Sequence, residues 1–191
     1  MIIMNKRNLV FFICVLLLST LLSAHNVTVT TPHTQLILSA PDGGTLEHLY
    51  YGSRTSDADI RSICETTRGR CAYPVYGMGY PCETALSVSH ADGNLTLKMS
   101  VADVKETYLA DENATLTVIE LKDEVYPFFV NICYKAWQDA DVIETWTEIR
   151  HREKKSVRLQ QFASAYLPVG RGNVWLSHLS GAWANEGQLS Q

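Results

Sequence analysis

The fold is decided by residues 128–149, which read FFVNICYKAWQDADVIETWTEI. Two runs in which every second side chain is apolar or small flank the tetrapeptide QDAD at residues 138–141. A period of two places successive side chains on opposite faces of a β-strand, and aspartate is favoured in tight turns. The stretch therefore predicts two antiparallel strands joined by a turn. One face of the first strand consists of Phe128, Val130, Ile132, Tyr134 and Ala136.

The same alternation extends outward over most of the chain. It is clear at residues 95–101 and 156–167, and shorter runs occur at 35–40, 46–51, 85–90, 115–122 and 174–179. Clusters of Asp, Asn and Gly between the runs indicate turns, and no long stretch carries a helical apolar stripe. About nine or ten strands joined by turns predict an all-β protein, an antiparallel sandwich built from large sheets.

The N-terminal residues have the pattern of a secretory signal peptide. Lys6 and Arg7 form a short basic segment, and residues 9–18 (LVFFICVLLL) form an apolar run followed by small residues up to Ala24. The run is shorter than the roughly 20 residues that a membrane-spanning helix needs. We therefore predict cleavage after Ala24, export to the periplasm or the extracellular space, and one domain over residues 25–191. An uncleaved anchor is the alternative.

The charge balance excludes one class of partner. The chain carries 16 Lys and Arg against 20 Asp and Glu, a formal net charge of −4. Removal of the signal peptide, with its two basic residues, makes the charge more negative. Because nucleic-acid binding needs a basic face, we expect no nucleic-acid partner, and no membrane contact beyond export.

Four cysteines remain in the exported part, and three of them lie close together in sequence. An oxidising compartment favours disulfides, so we predict a bridge within residues 64–82; free buried thiols are the alternative. The spacing of cysteines and histidines does not fit a zinc site, and no metal is expected. The four cysteines are Cys64, Cys71, Cys82 and Cys133.

The sequence contains no assembled catalytic motif. Of three acidic pairs, Asp139 and Asp141 lie in the predicted turn, whereas Asp57 and Asp59 lie near two arginines, as loop-ordering ion pairs or a solvated face. Six histidines are scattered without a carboxylate or cysteine at a telling spacing. No nucleophile elbow, phosphate loop or redox motif is present. We therefore predict no catalytic residue and no cofactor in this chain.

One connection, residues 52–79, is far longer than a hairpin needs, and long ordered loops are often functional. It ends in an aromatic, glycine-rich segment, YPVYGMGY at residues 73–80. Glycines let the backbone bend closely, and tyrosines present a flat apolar face with a polar tip, which suits stacking on a sugar ring. The candidate substrate-binding residues are Tyr76, Gly79 and Tyr80. A packed corner of the sandwich is the alternative.

Four segments, in order along the chain, resemble the N-terminal domain of the α-galactosidases of glycoside hydrolase family 36. These segments are LEHLYYG at residues 46–52, YPVYGMGYPCETAL at 73–86, YKAWQDADVI at 134–143 and LSGAWANEGQL at 179–189. Each motif alone is weak, but the four in this order are fairly specific. The resemblance covers essentially all of residues 27–191.

The resemblance implies an antiparallel β-supersandwich of the galactose-mutarotase-like kind, followed by a (β/α)8 barrel. The family hydrolyses terminal α-galactosides with retention, using two barrel aspartates, so no residue here inherits a catalytic role. Residues 179–191 end without a closing turn, cap or helix. We expect the polypeptide to continue from there into the barrel, with Trp183 packing at the junction. The 191 residues alone should be inactive.

The resemblance also implies a role for the glycine-x-glycine turn. In the family this turn can reach the active site of a neighbouring subunit, which implies a homo-oligomer and a galactose-containing oligosaccharide or polysaccharide as partner. Tyr80 stands where many members carry an aspartate, so stacking would replace a hydrogen bond. The alternatives are a stand-alone carbohydrate-binding sandwich, with Tyr73, Tyr76 and Tyr80 as its platform, and a subunit-contact module that binds no sugar.

Overall fold

The computed structural model describes residues 25–41, 43–169, 175, 177–182 and 185–190. The predicted signal peptide, residues 1–24, and Trp183 lie outside the described residues. Strands are the dominant secondary structure of the described chain, and all the sheets are antiparallel, which confirms the predicted all-β class. Its strands are β1 (His25–Thr30), β2 (Thr34–Ala40), β3 (Glu47–Ser53), β4 (Arg70–Cys71), β5 (Leu86–Ser89), β6 (Met99–Leu109), β7 (Ala114–Asp123), β8 (Phe128–Trp137), β9 (Val142–His151), β10 (Arg158–Phe162), β11 (His178–Ala182) and β12 (Asn185–Ser190).

Two four-stranded antiparallel sheets make up most of the structure. Their strand orders are β1-β2-β3-β4 and β6-β7-β8-β9, so every pair of neighbours is also consecutive in sequence. The predicted hairpin is confirmed at one side of the second sheet: β8 pairs with β9 from Phe128 opposite His151 to Trp137 opposite Val142. Two further antiparallel pairs, β5 with β10 and β11 with β12, complete the described strands.

One continuous hydrophobic core joins the two large sheets. It takes Val29 and Leu38 from the first sheet and Ile119, Phe128 and Ile132 from the second, and none of these side chains is more than 5% exposed. Full burial of such a side chain contributes about 1.5–3 kcal/mol. This shared core is the arrangement expected of a sandwich. All five of the residues predicted to share one face of β8 belong to it.

The second sheet ends on strands β6 and β9. The pairing of β6 with β7 shifts its register between Val101 and Asp103, and beyond this bulge the strand carries the exposed residues Lys105 and Glu106. Strand β9 exposes two glutamates on one face, Glu144 and Glu148. Both edges of the sheet are therefore polar.

The sequence-based expectation of no helix was wrong in one place. Residues Asp57–Thr66, within the long connection, form helix α1. Ser56 caps it by accepting a hydrogen bond from the backbone N–H of Asp59 at 3.3 Å. The Ser56 hydroxyl also donates to the Asp59 carboxylate at 2.7 Å. The two acidic residues thus lie in the first turn, where carboxylates stabilise a helix, rather than in a loop. No helix among the described residues is long and apolar enough to cross a bilayer.

Three strand boundaries also differ from the expectation. Strand β6 begins at Met99 rather than at residue 95, where Leu95 is 38% exposed, and it continues to Leu109. Strand β10 covers only five residues of the predicted run 156–167. The segment predicted to lack any closing element instead contributes two strands, since β11 pairs with β12. The C-terminal part of the described chain is therefore a hairpin.

Candidate functional site

The candidate turn at residues 73–80 begins on a buried tyrosine. Tyr73 is 3% exposed, and its hydroxyl donates to the carbonyl oxygen of Ala163 at 3.0 Å. The hydroxyl of Thr147, on β9, donates to the same oxygen at 3.0 Å. Burial raises the pKa of Tyr73. Tyr73 is thus a structural anchor, and it cannot belong to the three-tyrosine platform of the alternative interpretation.

Backbone hydrogen bonds fix the first half of the turn against the start of β5. The N–H of Ala85 donates to Pro74 at 2.7 Å, and the N–H of Tyr76 donates to Leu86 at 3.0 Å. On the other side, the N–H of Leu97 donates to the carbonyl oxygen of Tyr76 at 2.9 Å. The backbone of residue 76 is therefore held between two segments, and the turn projects from a rigid base.

Two glycines bend the chain beyond this base. Gly77 has φ +105°, and a Cβ added there would lie 2.5 Å from Cγ2 of Thr96, which is too close for any side chain. Gly79 has φ +75° with nothing within 4 Å of an added Cβ. Both conformations favour glycine. Gly77 also permits a close approach, whereas Gly79 leaves open space at the tip of the turn.

The two candidate tyrosines differ in their surroundings. Tyr76 is 49% exposed and Tyr80 is 39% exposed. Only Tyr80 lines a cavity of about 700 Å³ beside β4. Partial burial raises the pKa of the Tyr80 phenol, although a hydrogen bond to Thr45 opposes this. The Tyr80 hydroxyl is therefore a neutral donor at neutral pH.

The cavity beside Tyr80 combines aromatic, charged and thiol groups. The Arg70 guanidinium donates to the carbonyl oxygen of Val169, which closes one wall with the chain that follows β10. Glu47 supplies a carboxylate on β3. Such a set of donors and acceptors around aromatic faces suits a ligand rich in hydroxyl groups. The cavity is lined by Glu47, Gly69, Arg70, Cys71, Tyr80, Pro81, Cys82, Tyr166, Leu167, Pro168 and Val169.

Comparison with protein families shows which family the chain belongs to. The family model described as the glycosyl hydrolase family 36 N-terminal domain matches residues 44–191. This chain belongs to that family. The match includes the turn, the cavity and all strands from β3 onward, so the resemblance inferred from four short motifs is confirmed.

Solved structures show the same fold as this family 36 N-terminal domain. The α-galactosidase from Lactobacillus brevis has a TM-score of 0.73 at 18% identity, over 87% of this chain and 27% of that one. A variant of α-galactosidase AgaA from Geobacillus stearothermophilus in complex with raffinose has a TM-score of 0.71 at 16% identity, with the same two coverages. The galactosidase domain of the α-galactosidase-sucrose kinase AgaSK has a TM-score of 0.60 at 21% identity.

The chain spans about a quarter of the length of these solved proteins, 24–27%. No curated protein matches it. At these identities the TM-scores of 0.60–0.73 show a shared fold alone.

The acidic pairs of this family 36 domain are used for structure. Asp141, at φ +53° in the β8–β9 turn, accepts hydrogen bonds from the hydroxyl of Thr31 and from the N–H groups of His33 at 3.0 Å and Thr34 at 3.2 Å. These bonds lower the pKa of Asp141. Asp139 accepts from Nδ2 of the Asn113 side chain at 2.6 Å. The interpretation of both residues as turn residues is confirmed.

The third acidic pair is Asp123 and Glu124. Asp123 is 1% exposed and accepts three backbone N–H groups, from Lys98 at 2.6 Å, Val125 at 2.9 Å and Tyr126 at 2.7 Å. Glu124 instead forms an exposed ion pair with the Lys98 ammonium at 2.8 Å. Three backbone donors hold the Asp123 carboxylate in place and an ion pair occupies Glu124, so this pair is not arranged for proton transfer.

Sequence reasoning missed a buried histidine–carboxylate pair. The His90 side chain is fully buried, with Nδ1 2.7 Å from Oε1 of Glu153, whose other oxygen accepts the N–H of Ala91 at 2.9 Å. The His90 ring stacks on Tyr126 at 3.7 Å. The partners are 63 positions apart, so no local pattern signals the pair. The His90–Glu153 pair connects the turn after β5 with the segment between β9 and β10.

The four cysteines are free thiols in the structure. Cys71 and Cys133 are buried, Cys64 is half-buried on α1, and Cys82 is exposed. Burial, with the nearby Glu148 carboxylate, raises the pKa of Cys133 to about 11. A bridge within residues 64–82 is therefore not formed here and stays a prediction for oxidising conditions. Within the described ranges, no cluster of three or more His, Cys, Asp or Glu could hold a metal ion.

Proposed function

We propose that this chain is the non-catalytic N-terminal β-supersandwich of an exported α-galactosidase-like hydrolase. The whole enzyme would remove terminal α-galactosyl groups with retention, by means of a barrel that follows the sandwich. Family membership over residues 44–191 carries this proposal. The three compared structures, which share the fold, are named as α-galactosidases or as a galactosidase domain.

Four carboxylates of the described chain support a non-catalytic role. A retaining glycosidase needs two carboxyl groups about 5–5.5 Å apart across the scissile bond, one of them free to carry a proton. Asp123 and Asp141 accept several backbone donors, Asp59 accepts from the Ser56 hydroxyl in the capping box of α1, and Glu153 pairs with a buried histidine. Each is committed to a structural contact.

Tyr80 is the residue through which this domain would meet substrate. It is partly exposed at the tip of a glycine turn with a rigid base, and it lines the cavity of about 700 Å³. An aromatic ring stacks on the apolar face of a sugar, and its hydroxyl donates to a sugar oxygen. In a homo-oligomer the turn would serve a neighbouring active site, where it would contact the outer part of a galactose-containing oligosaccharide.

A comparison of two proteins tests the proposal. The 191-residue chain and the product of the complete reading frame are assayed with an aryl α-galactoside. We expect hydrolysis only by the product of the complete frame, and a barrel with two aspartates after the sandwich. Hydrolysis by the 191 residues would overturn the non-catalytic assignment. A reading frame that stops at codon 191, with galactoside binding by the chain itself, would favour a stand-alone carbohydrate-binding module.

Tyr80→Ala tests the substrate contact in the same complete protein. Loss of one stacking contact weakens a complex by roughly tenfold if it contributes about 1–1.5 kcal/mol. We expect kcat/KM for a raffinose-type oligosaccharide to fall about tenfold, with little change for a short aryl α-galactoside. Tyr108→Ala is the control, since Tyr108 is 60% exposed on β6. Equal kcat/KM values of the Tyr80 and Tyr108 variants for the oligosaccharide would contradict a contact between Tyr80 and substrate.

A further inference from the structure

Two thiols face the same cavity from the two ends of the candidate turn. Cys71 lies at the end of β4, immediately before the turn, and Cys82 lies two residues after Tyr80. Both line the cavity of about 700 Å³. Cys71 is 9% exposed, whereas Cys82 is exposed. Cys82 is therefore accessible to a reagent, whereas Cys71 is largely covered.

Two tyrosines line the same cavity as these thiols, Tyr80 and Tyr166. Burial raises the pKa of Cys71 and an interaction with Tyr80 opposes this, whereas burial and an interaction with Cys82 both raise the pKa of Tyr166. The thiols also influence each other electrostatically: a charge on Cys82 raises the pKa of Cys71, in addition to the larger effect of burial. These interactions place both sulfur atoms in one local cluster with the ring of Tyr80.

The other two described cysteines lie outside this cluster. Cys64 is on α1 and is absent from the cavity lining. Cys133 is on β8, where it is 1% exposed, and its raised pKa keeps it protonated. From the sequence alone, Cys71 could pair with any of the other three cysteines. The structure favours Cys82 as its partner.

We propose that Cys71 and Cys82 form a modification site, at which a small-molecule disulfide of the glutathione class converts the two thiols into an intramolecular disulfide. The bond would tie both ends of the turn at residues 73–80 together. The proposal concerns the thiols alone and does not depend on a sugar ligand.

The reaction balances as two thiol–disulfide exchanges. The Cys82 thiolate attacks one sulfur of the oxidised reagent, which forms a mixed disulfide and releases one reduced thiol. The Cys71 thiolate then attacks the Cys82 sulfur and releases the second thiol. Two protein thiols lose their protons, and the reagent disulfide takes up the two electrons. Because burial raises the pKa of Cys71, the second exchange should become faster as the pH rises.

The bond would restrict the turn that carries Tyr80. A disulfide between residues 71 and 82 closes a short loop around the two flexible glycines, Gly77 and Gly79. Cross-linking reduces the number of conformations open to the unfolded chain. The tip of the turn would then be fixed at both ends by a covalent bond, rather than by its backbone hydrogen bonds alone.

Tryptic mapping of the complete 191-residue chain tests the proposal. The chain is equilibrated in glutathione buffers of increasing oxidised fraction, then blocked with an alkylating agent and digested. Cleavage after Arg70 and Lys98 places both cysteines in one peptide, residues 71–98, whereas Cys64 and Cys133 fall in other peptides. We expect peptide 71–98 to escape alkylation and to lose the mass of two hydrogen atoms. The melting temperature should rise by several degrees and return when the bond is reduced.

Two variants make the result decisive. Cys82→Ser changes an exposed side chain and should abolish both the mass loss and the rise in melting temperature. Cys64→Ser should leave both unchanged. A glutathione adduct that persists on Cys82 would overturn the proposal, because it would show that Cys71 does not reach the mixed disulfide. A cross-link between peptide 71–98 and the peptide of Cys64 would overturn it as well.

Discussion

Replacement of Phe128 by alanine is expected to lower the free energy of unfolding by about 3–5 kcal/mol. Phe128 is 0% exposed at the start of β8, and its ring meets the buried His90 edge-on at a centroid distance of 5.8 Å. Truncation would leave a cavity between the two sheets and remove support from that histidine. Urea unfolding followed by circular dichroism measures the loss. Phe128→Leu retains most of the volume and should lose only about 1 kcal/mol.

The neighbouring phenylalanine provides a matched control. Phe129 points to the opposite face of β8, is half-buried, and has the Arg150 guanidinium 5.1 Å from its ring. Phe129→Ala removes the same atoms one position away, and we expect a loss of about 1 kcal/mol or less. Equal losses at positions 128 and 129 would show that the core does not lie between the two large sheets.

Glu153→Ala is expected to destabilise the fold by about 2–4 kcal/mol, because it leaves a buried histidine without its partner. The side chains of His90 and Glu153 are 0% and 5% exposed. The change also removes the acceptor of the Ala91 N–H. Thermal and urea unfolding at pH 7 give the size of the effect. Glu153→Gln keeps the shape of the side chain and one hydrogen bond, so its stability should lie between that of Glu153→Ala and that of the natural protein.

The contribution of Glu153 should depend on pH in one direction. Burial opposes ionisation of Glu153, but the hydrogen bonds from Ala91 and His90 outweigh it and lower the pKa below the ordinary value of 4.5. A carboxyl whose pKa is lowered by folding stabilises the fold above its unfolded pKa and loses that effect as the pH falls through the folded value. The difference between natural protein and Glu153→Ala should therefore be full at neutral pH and shrink below about pH 4.5.

An exposed ion pair serves as the reference. Lys98 and Glu124 form a contact of 2.8 Å with side chains 66% and 42% exposed. Such pairs contribute about 0–1 kcal/mol, so Glu124→Ala should have a small effect at every pH. A loss at Glu153 no larger than the loss at Glu124 would contradict the role of the buried pair.

The strands were predictable from the sequence wherever apolar and polar side chains alternate along the strand. Strand β8 matches the expected Phe128–Trp137 at both ends, because one face is buried along its whole length and a turn follows immediately. The outer half of β6 was missed because its side chains are exposed on both faces, which removes the contrast that alternation depends on. Helix α1 was missed because its apolar residues, Ile60, Ile63 and Cys64, extend over little more than one turn, and none of its residues is fully buried.

The candidate turn was found from its composition, but its internal arrangement was not. Glycine and tyrosine content indicated residues 76–80. That Tyr73 is buried while Tyr80 is exposed follows from the hydrogen bond of Tyr73 to Ala163, which is 90 positions away in sequence. The pairing of β5 with β10 creates that contact. Such contacts, like that of His90 with Glu153, arise from the packing of distant segments, and a single sequence does not encode them locally.

The polar borders of the second sheet have a consequence for the behaviour of the chain in concentrated solution. An edge strand offers free N–H and C=O groups to any extended segment nearby, so a long apolar edge is a template for cross-chain β-pairing and aggregation. The bulge near Asp103 interrupts that template on β6. Pairing with another chain would also bring the charged side chains of Lys105, Glu106 and Glu148 against a second backbone, which is unfavourable. A long sheet that is mostly built from hairpins can in this way avoid edge-to-edge pairing with other copies of the chain.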